Sequence, residues 1–169
     1  MNTRSATAIA LVALSLTVSA PQAGAAKGPS QVSAKKFERL SNAALAAMRQ
    51  KADELKIVGV AEVSYAAGDN VQGWISKMAV VGQMKKEGAA GKSGSNFLAI
   101  AYSKAAEMAD TLENSGGGKR APLTGEFGWQ GGVIGAVKSG HVIVSFSGGK
   151  ADEDVQVSKV GLAVMTAGL

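Results

Sequence analysis

The sequence predicts an α+β fold, with a single antiparallel sheet of four or five strands flanked by helices. Three features predict it. The runs Ile57 to Tyr65 and Val71 to Val81 are rich in β-branched residues, and Ala67-Gly68-Asp69-Asn70 supplies turn chemistry between them. A second pair of apolar runs, Val133 to Val137 and His141 to Phe146, flanks Lys138-Ser139-Gly140, which reads as a short hairpin turn. The other long segments carry apolar residues at three- and four-residue steps, the period of a helix packed on one face.

The chain has 169 residues, enough for one domain with a sizeable core. Its N-terminus reads as an export signal. Arg4 precedes the apolar run Ala6 to Ala20, and Ala23 and Ala25 form an A-x-A site. The run is too short to span a bilayer comfortably. Cleavage is expected after Ala25 or Ala26, so residues 1–25 are assigned to a signal peptide. Residues 26–32 then form a tether, and 33–169 the folded domain. The expected location is the periplasm or the exterior, with no membrane span in the mature chain.

From Ser33 to Leu55 the residues Phe37, Leu40, Ala44, Ala47, Met48 and Leu55 trace a helical stripe, with Ser33 as N-cap. The alanines imply close packing on whatever the helix covers. In the strand 71–81, Trp74, Ser76, Met78 and Val80 share one face, and Ile75, Lys77, Ala79 and Val81 the other. Both faces carry large apolar groups, which predicts a sheet covered on more than one side. Gly82 to Gly94 reads as a loop. Its Gly91-Lys92-Ser93 resembles the end of a phosphate-binding loop, but the glycine required five residues before Gly91 is Lys86, so that motif is absent.

Ser95 is the expected cap of a second helix, Asn96 to about Glu113. Its stripe is Phe97, Ile100, Ala101, Lys104, Ala105, Met108 and Leu112. A lysine inside an apolar stripe must snorkel, pair, or face a polar cavity, and spacing alone favours snorkelling. Glu107 is within i,i+3 reach of it. A second loop runs from Asn114 to Phe127. After the second hairpin, Gly148-Gly149 breaks the strand, and Asp152, Glu153 and Asp154 complement the dipole of a terminal helix. Val155, Leu162, Val160 and Val164 are its expected buried face.

Composition excludes several functions. With no cysteine, disulfides, thiolate metal sites and cysteine nucleophiles are ruled out. The formal charge is +5, and only Arg4 is lost with residues 1–25. The surplus is scattered over Lys35-Lys36, Lys85-Lys86 and Lys119-Arg120 with few aromatics, so nucleic acid is not an expected partner. One histidine, His141, specifies no serine triad. It follows a turn, and an exposed hairpin residue is its ordinary reading. No acid–base pair stands at a defined spacing, which leans against an enzyme. A haem iron would find axial candidates in His141, Tyr65, Tyr102, Met78, Met84, Met108 and Met165.

The arrangement resembles the GlcG/HbpS family, the haem-degrading domain family, over roughly Ser41 to Leu169. Ile57 to Tyr65 followed by Ala67-Gly68 resembles the family's apolar strand and glycine turn. Trp74-Ile75-Ser76-Lys77-Met78 resembles its next strand, with Lys77 in place of an arginine. Ala101-Tyr102-Ser103-Lys104-Ala105 resembles the helix bearing a Lys-Ala pair. The most specific match is Gly131-Gly132, the hairpin, Ser147-Gly148-Gly149, the acidic run and Gly161-Leu162. The resemblance implies a profilin-like fold, self-association into a homo-oligomer, and a small-molecule ligand. That ligand would be haem or another tetrapyrrole, with Lys104, Tyr102, Met78 and His141 as site residues. The alternative is a binding or assembly module for a small anionic metabolite, with no haem role. At the family's lysine position, Lys104 is expected to border a pocket beneath the loops 82–94 and 114–126.

Overall fold

The computed structural model describes residues 32–169. The expected signal peptide and nearly all of the tether lie outside the described residues. Helix α1 (Ala34–Leu55) leads into strands β1 (Gly59–Ala67) and β2 (Gly73–Val81). Short strands β3 (Lys85–Lys86) and β4 (Ser95–Asn96) precede helix α2 (Phe97–Thr111). Strands β5 (Gly132–Val137) and β6 (Gly140–Ser147) follow, then helix α3 (Ala151–Gly168). The main sheet has the order β2-β1-β6-β5, antiparallel throughout. Among the described residues, no helix is long and apolar enough to cross a membrane.

The two faces of the sheet follow from the period of two along a strand. Ala61, Val63, Tyr65 and Ala67 of β1 join Val142, Val144 and Phe146 of β6 in one core with α1 and α3. The alternate residues turn the other way. Val60 packs with Phe97, Ile100 and Ala101 of α2, while Ala66 and Ile143 pack with Ala105 and Met108. The sheet is therefore covered on both faces, and the two clusters of α2 complete the second layer. Along β2, Ile75, Ala79 and Met78 are partly buried, while Trp74 and Val80 stay more than one-third exposed.

Local chemistry sets the helix ends. Ser33 Oγ accepts from Lys36 N, so the expected cap of α1 is in place. The cap of α2 is Asn96 rather than Ser95: Asn96 Oδ1 accepts from Ala99 N at 3.1 Å. Ser95 is instead drawn into a two-residue ladder with Lys86, the partner strand inside the segment read as loop. In α3 the buried face is Val157, Gly161 and Met165, whereas Val155, Val160, Leu162 and Val164 are only partly buried. The reason is Gly161. A Cβ there would lie 2.6 Å from Met48 Sδ and 3.0 Å from Val144 Cγ1, so any larger residue would have to displace the Met48 side chain that fills the space between α3 and α1. A stripe of large residues cannot reveal a face chosen by a small one.

Candidate functional site

A cavity of about 500 Å3 opens where β6 ends and α3 begins. Phe97, Ile100 and Lys104 of α2 form one wall, and Gly128-Trp129-Gln130 another. Ser147-Gly148-Gly149 and Ala151 lie at the entry to α3, while Lys86 and Ser95 close the side next to the small ladder. Phe97 N donates to the Met84 carbonyl at 2.9 Å, which ties that ladder to the start of α2.

Lys104 is almost fully buried and does not snorkel. Its Nζ donates to Asp154 Oδ2 at 2.8 Å and to the Phe146 carbonyl at 2.7 Å. Asp154, equally buried, uses its other oxygen to accept from Gly149 N at 2.8 Å. Burial pushes the Lys104 ammonium below its usual range and the Asp154 carboxyl above its own, and the mutual attraction opposes both shifts. The pair is a compensated charge in the cavity wall, and two of the three ammonium protons are placed within the protein. Glu107, the nearer acid in sequence, does not pair with it. Glu107 Oε1 accepts from Gly116 N at 2.9 Å, and its Oε2 is buried without a hydrogen-bond partner among the described residues.

Gly131 closes the back of this pair. Its φ is +132°, a region that favours glycine. A Cβ there would also collide with Lys104 Nζ and lie 2.8 Å from Asp154 Cβ. Its carbonyl accepts from Ser158 Oγ at 2.6 Å, which anchors the start of β5 to α3.

The segment carrying Trp129 is held by charge. Arg120 grips Glu126 with both guanidinium branches, at 2.6 and 2.8 Å, and its Nε donates to Asp110 Oδ2 at 2.8 Å. Glu126 also accepts from Leu123 N, and the Arg120 contacts hold its carboxyl down at about 2. Phe127 N donates to Ser103 Oγ at 3.0 Å, fixing the aromatic stretch on α2. Forked Arg–carboxylate pairs add geometric specificity as well as attraction. Arg120→Gln is therefore expected to speed protease cleavage within residues 114–131 while leaving the main fold intact. Limited proteolysis with mass spectrometry checks this, and an unchanged cleavage pattern would mean that the clamp does not hold the segment.

The other residues singled out from the sequence lie elsewhere. Met78 packs behind the cavity wall against Val60, Phe97, Ile100 and Ala101. Tyr102 is half-buried, with its hydroxyl 3.3 Å from Ser76 Oγ of β2. His141, paired across the sheet with Ala66 and Ala136, is mostly buried rather than exposed. Its Nδ1 lies 3.9 Å from Asp69 Oδ1 and has no hydrogen-bond partner among the described residues. Met108 and Met165 are core residues, and the Tyr65 hydroxyl donates to the Ser139 carbonyl at 2.8 Å. Of the four expected site residues, only Lys104 lines the cavity. Its lining offers no histidine, tyrosine or methionine to a haem iron, so it does not fit axial ligation of that group. Among the described residues no cluster of three acidic or histidine side chains could hold a metal ion.

A fully buried carboxyl, Glu62, sits beside this site in the sheet, with no counterpart among the residues singled out beforehand. Ser64 donates to its Oε1. Ser145 Oγ lies 3.2 Å from its Oε2 and 2.9 Å from the Ala101 carbonyl. A hydroxyl carries one proton, so both Ser145 contacts are fully satisfied only when Glu62 itself donates. Burial pushes the Glu62 carboxyl up to about 8, and the serine contacts pull it back only in part. Geometry and burial agree on a neutral Glu62 near pH 7.

No protein-family model matches the chain, and no curated protein matches it.

Proposed function

We propose that this chain is an exported binding protein for small organic anions, held in the cavity between α2, the start of α3 and the Trp129 segment. The observation that supports this reading is Lys104. It lines the cavity with two of its three ammonium protons placed on protein acceptors. A bound anion accepts the third. One further feature favours an anion at the same place: Lys86 is a second cationic residue of the lining. This is the small-anion alternative within the GlcG/HbpS resemblance, favoured over haem because the lining lacks an axial ligand. No catalytic step is assigned.

Calorimetric titration with acetate, succinate and phosphate tests the reading. At least one of them is expected to bind, more weakly as ionic strength rises. Lys86→Gln, a change at an exposed residue, should weaken that binding severalfold without altering the fold. Heats indistinguishable from dilution for all three, at millimolar concentration and low salt, would refute the proposal. A Soret band retained through gel filtration after haemin addition would favour the haem reading instead.

A further inference from the structure

The cavity is not lined by charge alone. Trp129 stands across from the α2 wall, where Phe97 and Ile100 lie beside Lys104. Trp129 is about half exposed, an unusual position for the largest apolar side chain. It is also held in place. Its ring stacks on Phe127 at a centroid distance of 4.9 Å and an interplanar angle of 29°, and Phe127 is tied to Ser103 through its backbone amide. An indole ordered before a ligand arrives has lost its rotamer freedom already, so stacking on it costs little further entropy. Flat rings prefer offset stacking on such a surface, and this adds affinity beyond the area buried.

We infer that the ligand is a planar aromatic carboxylate, its ring lying between Trp129 and the Phe97 and Ile100 wall, and its carboxylate directed to Lys104 and Lys86. The inference rests on the anion-binding reading and adds the chemical class of the ligand body. The lining matches such a molecule in its division of labour. Lys86 and the remaining Lys104 proton meet the carboxylate, the Lys104 charge being already balanced by Asp154 of the same lining, and Trp129, Phe97 and Ile100 meet the ring. A phosphate or a short dicarboxylate would leave the apolar wall wet. An aliphatic acid of similar size would bury that wall but gain nothing from the stacked indole.

The test uses three monocarboxylates of equal charge: 2-naphthoate, cyclohexanecarboxylate and acetate. Affinities are measured by calorimetry, and fluorescence is followed in Trp74→Phe, which leaves Trp129 as the one tryptophan of two. 2-Naphthoate should bind at least tenfold more tightly than acetate and detectably better than cyclohexanecarboxylate, and it should perturb Trp129 emission. Trp129→Ala should cost 2-naphthoate roughly tenfold and acetate less than twofold. Equal affinity for 2-naphthoate and either comparison acid would overturn the inference while leaving the anion reading intact. So would an equal loss for 2-naphthoate and acetate in Trp129→Ala. No binding of any of the three would overturn both.

Discussion

Lys104→Met is expected to destabilise the fold by about 3–5 kcal/mol, although methionine matches lysine in length and suits an apolar stripe. The cost comes from the partner left behind. Asp154 is 5 % exposed at its side chain and Lys104 3 %, so water at the cavity solvates either charge only slightly. Without the ammonium, the Asp154 carboxylate must stay ionised and uncompensated, or take up a proton. The Phe146 carbonyl also loses its donor. Asp154→Asn removes the opposite charge and keeps an oxygen for Gly149 N. The double variant Lys104→Met/Asp154→Asn should therefore recover a substantial part of the loss, because an uncharged pair carries no desolvation penalty. Urea unfolding of the wild type, both single variants and the double variant checks this. Strictly additive losses, or a loss below about 1 kcal/mol in Lys104→Met, would show that the pair is not the compensated buried charge described above.

The same pair shows how far the sequence could be read. Hairpins and stripes depend on residue periods, and periods survive in a sequence, so the strands, their antiparallel pairing and the three helices were legible. Lys104 was conspicuous because it broke a period. Its partner was not. Asp154 stands 50 residues away, and at a helix N-terminus an acid already has an adequate local explanation in the dipole. Spacing pointed to Glu107 instead, but a backbone amide of the following loop, Gly116 N, occupies that carboxylate. Trp129 fell just beyond the segment read as a loop, and nothing local reveals that it faces a cavity assembled from four separate parts of the chain. The buried face of α3 was missed for a different reason. Gly161 makes the contact by being small, and apolar stripes register only large residues. His141 was misread because a position next to a turn does not reveal how far the rest of the fold covers the start of the strand.

Glu62 was the most readable of the missed residues: an acid in the middle of Gly-Val-Ala-Glu-Val-Ser-Tyr-Ala-Ala, a strand buried at every position. Its titration should dominate the pH dependence of stability between pH 4.5 and about 8. The folded-state value of about 8 lies above the ordinary 4.5. Between these values the unfolded chain has released the proton and the folded chain still holds it. Stability must then fall as pH rises through this window, at up to about 1.4 kcal/mol per pH unit. Below pH 4.5 both states are protonated and this group has no effect. Above about pH 8 both are ionised, and the folded state bears the full penalty, on the order of 5 kcal/mol. Glu62→Gln replaces the neutral acid with an amide of the same shape. Its oxygen accepts from Ser64, and its NH2 stands where the carboxyl proton reaches Ser145. Urea midpoints measured at pH 5 and pH 8 should fall steeply for the wild type and much less for Glu62→Gln. The variant should be the more stable protein at pH 8 and close to wild type at pH 5. Parallel pH profiles for the two proteins would mean that Glu62 is ionised in the fold, and that Ser145 gives its proton to the carboxylate rather than to Ala101.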